Sequence, residues 1–339
     1  MQLKKRTIIK WLITFLILIS SLYWLQRLLM PKYMTSFTMG ALIGEYYEQD
    51  KNHDVLFVGD CEICTAFSPP YLWEKYGIHS YVRGSVQQTI WQTYYLLEEM
   101  LEEEKPKVVV FNVTEMKYDK TLRNTYTRMT LDGMKWSKHK VNAVKESLTE
   151  REHFIEYVFP ILFYHDRWDD LTKEDYEWLF KTESISFNGY LMMTGVNPYE
   201  EKQEEKIVKK EDLPQRGYEY LDKIRVLCEE KGIELILIKG PGIAPTWHSW
   251  WDKEIEEYAA KYNLTYLNML NIVEEMGIDY TTDTFSGGRH MNVYGAEKVS
   301  DYFGQLLQEE FYIPDRRNEK ELSQYWNQEL IRYYEKRNH

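Results

Sequence analysis

The sequence predicts an α/β protein: a parallel, doubly wound sheet behind an N-terminal transmembrane helix, with a helical insertion between sheet elements. Three observations carry this. Short apolar runs, Val55 to Val58, Val108 to Val113 and Leu235 to Ile238, read as strands buried on both faces. Stretches of helical periodicity alternate with them, as a βαβ chain requires. A basic cluster, Lys4, Lys5, Arg6 and Lys10, precedes an uncharged stretch from Trp11 to Gln26.

That first stretch reads as a membrane span. Ile8 and Ile9 lengthen its apolar part, and Lys10 can snorkel to the headgroups. Arg27 followed by Leu28, Leu29 and Met30 gives the far flank an interfacial character. No small-x-small cleavage site follows, which favours an uncleaved anchor over a removed signal peptide. The positive cluster predicts a cytoplasmic N-terminus and a main domain outside a cell membrane crossed once. No second stretch of comparable length and apolarity occurs in the sequence.

The expected organisation is a basic flank and anchor over 1–30, a juxtamembrane segment over 31–53, an α/β domain over 54–314 and a polar tail over 315–339. Strand one, 54–60, stops at Gly59-Asp60. A short helix over 64–77 follows, interrupted by Pro69 and Pro70. Ser80 to Arg83 is a second strand closed by Gly84, and residues 87–103 form an amphipathic helix stopped by Pro106. The third strand ends at Asn112. Residues 116–205 then break the rhythm; they are aromatic and charged, and we read them as a helical insertion with helices over 142–149, 150–164 and 171–180. Residues 201–211, rich in Glu and Lys, read as a solvated linker. Beyond them come a helix over 218–231 capped by Gly232, a strand over 234–239, a helix over 250–262, a strand over 264–270 and a helix over 292–309.

Composition narrows the function. The 339 residues are 44% apolar, enough for a sizeable core, and carry a net charge of −12. No basic stripe accompanies that charge, which argues against nucleic acid as a partner. Three cysteines, Cys61, Cys64 and Cys228, are too few for a disulfide framework. The eight histidines are scattered, with no metal-ligand spacing, so no metal and no cofactor is expected.

Three separated places carry residues suited to chemistry. Gly59-Asp60-Cys61-Glu62 puts a thiol at the carboxyl end of a strand, where open α/β sheets place their sites. Arg83-Gly84-Ser85 and Asn112 close the next two strands. His290-Met-Asn-Val-Tyr-Gly-Ala-Glu-Lys298 opens the last long helix. Cys61 and Cys64 also form a C-x-x-C at a strand-to-helix turn, which admits a redox pair as a minor alternative. The Trp247-His248-Ser-Trp250-Trp251 cluster reads as aromatic packing, with a glycan groove as the other reading.

The constellation resembles the SGNH/GDSL hydrolase-like superfamily, in particular its membrane-anchored, DltD-like and polysaccharide O-acetylation branch. The resemblance covers roughly 54–115 and 218–310. It implies a three-layer sandwich around a flavodoxin-like parallel sheet. It also implies a Gly-Asp-Ser turn carrying the nucleophile, a position held here by Cys61. Gly84 and Asn112 match the oxyanion positions, His290 matches the base, and Asp60 is expected with Gly84 and Asn112 among the oxyanion or substrate-binding residues. Two departures stand out. The serine is a cysteine, and the acid expected three residues before the histidine is Gly287. Ser286, Asp283 and Asp279 lie nearby, and Asp283 is the candidate orienting acid.

The expected oxyanion donors are Gly84, Asn112 and the Cys61 N–H. A helix N-terminus and an imidazole are expected to lower the thiol pKa. The function so implied is acyl transfer or ester cleavage on a cell-envelope polysaccharide or teichoic acid, beside a multispanning acyltransferase partner. The alternative is a catalytically inactive scaffold or glycan-binding accessory of the same fold.

Overall fold

The structure is a computed structural model describing residues 2–31, 40–180, 184–200, 209–244 and 246–338. Residues 32–39 of the juxtamembrane segment and 201–208 of the linker lie outside the described residues. Five parallel strands, β1 Val55–Asp60, β2 Ser80–Ser85, β3 Val108–Asn112, β4 Glu234–Lys239 and β5 Thr265–Asn268, form one sheet in the order 2-1-3-4-5. This is an α/β fold built on a five-stranded parallel sheet, as the sequence predicts.

Strand side chains alternate between faces, and each face has its own core. Leu56, Val58, Val109, Phe111, Leu235 and Leu237 pack against the helices Ile90–Glu103, Gln215–Lys231 and Ser249–Tyr262. Val55, Phe57, Val110, Ile236 and Ile238 pack against Cys61–Ala66, Pro69–Tyr76 and Val293–Glu309. Two covered faces explain why the strands are apolar runs rather than alternating patterns.

Local chemistry sets the boundaries. The helix expected over 64–77 is two helices, because Ser68 caps a new one with Pro69 and Pro70 in its first turn, where a missing N–H costs nothing. Thr89 and Gln92 form a capping box at the start of Ile90–Glu103. Gly232, with φ of 67°, ends Gln215–Lys231 in a left-handed turn.

The insertion is more broken than its pattern suggests. Asn124–Leu131 is an additional helix, and 150–164 divides at Pro160 into Phe154–Val158 and Ile161–Tyr164. The chain after 184 returns to the edge of β2, where the Val82 N–H donates to the Asn188 carbonyl at 2.9 Å. The polar tail is a helix, Lys320–Arg337, that docks rather than floats: Trp326 and Tyr333 are buried, and Trp326 stacks on Trp73.

The N-terminal helix Gln2–Leu29 contains the described residues' one segment long and apolar enough to cross a membrane, Lys4–Leu29. It is exposed from residue 4 to residue 25, and its end enters the body at Leu29.

Candidate active site

The site lies where the sheet order switches, at the carboxyl ends of β1, β3 and β4, the usual place for ligands in an open α/β sheet. The Asp60 carboxylate caps the helix after β1 by accepting from the Glu62 N–H at 3.1 Å. Cys61, half-buried, opens that helix and lines a cleft of about 200 Å³ together with Gln87, Lys117, Tyr118, Arg289 and His290.

His290 arrives from a loop 229 residues away, and its Nε2 stands 3.1 Å from the Cys61 sulfur. The loop is tied internally. Phe285 donates its N–H to the His290 carbonyl at 3.3 Å, and the Thr284 hydroxyl donates to the same carbonyl at 2.9 Å. The Phe285 ring stacks on the imidazole at 5.6 Å. Ser286 Oγ meets His290 Nδ1 at 2.9 Å. If Nδ1 carries its proton toward Ser286, the Nε2 lone pair faces the thiol, the arrangement a general base needs.

Three expected roles are corrected by the geometry. Asp283 does not meet His290. Its buried carboxylate accepts from Lys298 Nζ and from the Asp279 N–H, both at 2.7 Å, and so braces the loop instead. Asn112 is fully buried and fully used: its amide donates to Glu62 at 3.0 Å and Asp60 at 3.3 Å, and its oxygen accepts from the Gly240 N–H at 3.2 Å. No donor is left on it for an oxyanion.

Gly84 lies inside β2, paired with Gly59, and does not line the cleft. A Cβ there would sit 2.3 Å from the Gly59 carbonyl and 2.9 Å from the Cys64 sulfur, so its role is close packing. The backbone N–H that reaches the Cys61 sulfur belongs to Gln87. Gln87 holds a positive φ of 51°, a strained conformation for a side-chain-bearing residue and one often found at functional sites.

Glu62 and Lys239, to which the sequence reading assigned no role, form a buried ion pair beside the thiol. The Glu62 carboxylate accepts from Lys239 Nζ at 3.1 Å, the Gly242 N–H at 2.6 Å, the Asn112 amide and the Thr114 hydroxyl at 3.3 Å. A Cβ on Gly240 or Gly242 would fall 2.4 or 2.7 Å from that carboxyl group. The signal was present: a lysine closing an apolar strand, followed by Gly-Pro-Gly, marks a buried cation and a backbone that must come close to something.

Burial biases both members of the pair toward their neutral forms. Burial, and then the Asp60 charge, push the Cys61 thiol up, while the Gln87 N–H opposes them. Burial likewise lowers the His290 imidazole against the pull of Glu62. The expected depression of the thiol pKa is therefore overturned, because desolvation exceeds what one N–H and a neutral ring return. Asp60 is pushed up to about 6 by burial and by its neighbour Glu62. Burial also acts to raise Glu62, but Lys239 and the hydrogen bonds it accepts outweigh this and hold its pKa low.

Cys64 is a free, buried thiol donating to the Asp60 carbonyl, and Cys61 is also free, so the C-x-x-C holds no disulfide. Among the described residues no group of three His, Cys, Asp or Glu side chains is arranged to hold a metal ion.

No protein-family profile matches the chain, and no curated protein matches it by sequence. Solved structures do. The chain is similar to a proposed acylhydrolase from Bacteroides fragilis NCTC 9343, at 13% identity and a TM-score of 0.39, over 79% of this chain and 94% of that one. It is also similar to a GDSL-like lipase from Bacteroides thetaiotaomicron VPI-5482, at 14% identity and a TM-score of 0.36, over 78% and 94% of the two chains. These likenesses concern general architecture; the chemical reading rests on the distances above.

Proposed function

We propose that this chain is a membrane-anchored, extracytoplasmic SGNH-like protein that transfers or hydrolyses acyl groups through Cys61. The observation that carries the reading is the 3.1 Å approach of His290 Nε2 to the Cys61 sulfur at the mouth of a cleft. The sulfur attacks an ester carbonyl as Nε2 takes the thiol proton. The C–O bond then breaks and the imidazolium protonates the leaving alkoxide, leaving a thioester on Cys61. Water or a sugar hydroxyl next attacks the thioester, His290 removes its proton, and that proton returns to the sulfur. The Gln87 and Cys61 N–H groups are the donors placed to hold the oxyanion. Ser286 orients the ring, and the Glu62 charge stabilises the imidazolium.

The acceptor we propose is a cell-envelope polysaccharide or teichoic acid, with a multispanning acyltransferase delivering the acyl group. The apolar N-terminal helix supports this placement by confining the domain to a membrane face, which raises its effective concentration near such a partner.

What favours the second reading, an inactive scaffold or glycan-binding accessory, is the burial of the thiol, which pushes its pKa up and disfavours the thiolate. Incubation with p-nitrophenyl acetate followed by intact-mass and peptide mapping separates the two. The enzyme reading expects turnover and a hydroxylamine-sensitive acetyl adduct on Cys61 that disappears in His290→Ala. Absence of turnover, with Cys61 no more reactive than Cys228, would leave the scaffold.

A further inference from the structure

The body grips the apolar N-terminal helix through the insertion. The Trp24 ring lies 5.5 Å from that of Phe180. Arg27 Nε donates to the Leu179 carbonyl at 3.1 Å, and Arg167, itself paired with Asp175 at 3.1 Å, donates to the Leu29 carbonyl at 2.6 Å. At this same junction the insertion turns apolar side chains to solvent. Phe180 is 76% exposed and Trp168 67%, and Leu162 and Phe159 are also well exposed.

Helix geometry gives the level of this surface. A hydrocarbon core takes about 20 helical residues at about 1.5 Å each. Counted from Thr7, just after Lys4 to Arg6, that length reaches Gln26. Trp24 then stands at the body-side edge of the hydrocarbon, where indoles prefer to lie, and Phe180 packs on it.

We propose that residues 159–180 form a membrane-interfacial platform. Phe159, Leu162, Trp168 and Phe180 sit among the headgroups and upper acyl chains of the bilayer that the N-terminal helix crosses, and so fix the tilt of the domain on that surface. The proposal rests on reading the helix as a span. The occupant is lipid rather than protein because the apolar surface is continuous with the helix that enters the hydrocarbon. Charge attraction does not hold it there: between 154 and 180 seven carboxylates face only two cations, Arg167 and Lys173. The contact therefore forms on neutral lipid, by partition of aromatic and aliphatic surface.

The test uses the full chain in phosphatidylcholine vesicles containing a phosphatidylcholine with a diazirine-bearing acyl chain, photolysed and mapped by peptide mass spectrometry. Lipid adducts are expected both within 4–29 and within 159–180. The double variant Trp168→Ser, Phe180→Ser should keep the first set and lose the second, while Trp168→Phe should keep both. Adducts confined to 4–29 would overturn the platform and give its apolar surface to a protein partner. Adducts in neither segment would remove the span itself, and the platform with it.

Discussion

Two regions of the molecule reverse the usual partition of side chains, in opposite directions. At the carboxyl rim of the sheet the protein buries charge: Asp60, Glu62 and Lys239 are nearly inaccessible. At the foot of the N-terminal helix it exposes apolar rings, Trp168 and Phe180. The first departure is balanced internally, since the Glu62 carboxylate and the Lys239 ammonium find partners within the fold. Among the described residues the second has no such balance, so its counterpart is sought outside. An internally paired charge points to chemistry or positioning, whereas an exposed ring beside an apolar helix points to a surface.

The comparison can be broken first at the thiol. Cys61→Ala should lower ester turnover by about a thousandfold or more, measured as kcat/KM on an activated ester. Residual turnover close to wild type would remove Cys61 from the chemistry. Lys239→Met should cost about 3–5 kcal/mol in denaturant unfolding, because it leaves a buried carboxylate unpaired. Glu62→Leu in the same chain should return part of that loss; a further loss would contradict the pairing.

Smaller effects sharpen the roles around the ring. Ser286→Ala should reduce kcat by about tenfold with KM held, whereas Asp283→Asn should act on stability and spare kcat. The reverse outcome would restore Asp283 as the orienting acid.

The pH dependence follows from burial. A base held below its ordinary value stays neutral further into acid, so the acid limb of kcat/KM should lie below about pH 6.5. Glu62→Gln removes the charge that pulls His290 up and should move that limb lower still. A limb that moves upward instead would mean that Glu62 does not act on the imidazole. Least of all, Trp168→Ser should change the stability of the detergent-solubilised chain by no more than about 0.5 kcal/mol. A larger loss would show that the ring belongs to the core.

What was legible in the sequence follows the range of the forces involved. The apolar runs at Val55, Val108 and Leu235, the glycine after Lys231 and the unbroken apolar N-terminal stretch report local geometry and burial. Each became a strand, a cap or a long helix near its expected bounds. The insertion was less legible, because its short helices turn on single residues such as Pro160 and because its surface answers to something other than the sheet.

By itself the sequence determined the layered α/β architecture, since continuous apolar runs and 3.6-residue amphipathicity are properties of neighbouring residues. It also placed a thiol at the end of β1 and a histidine just before the helix Val293–Glu309. Only the tertiary structure decided which side chains meet. It set Ser286 rather than Asp283 against His290, gave Gln87 rather than Gly84 to the sulfur, and spent Asn112 on Glu62. It also set the direction in which burial shifts the pair, because desolvation depends on what is packed around a group and not on what adjoins it in the chain.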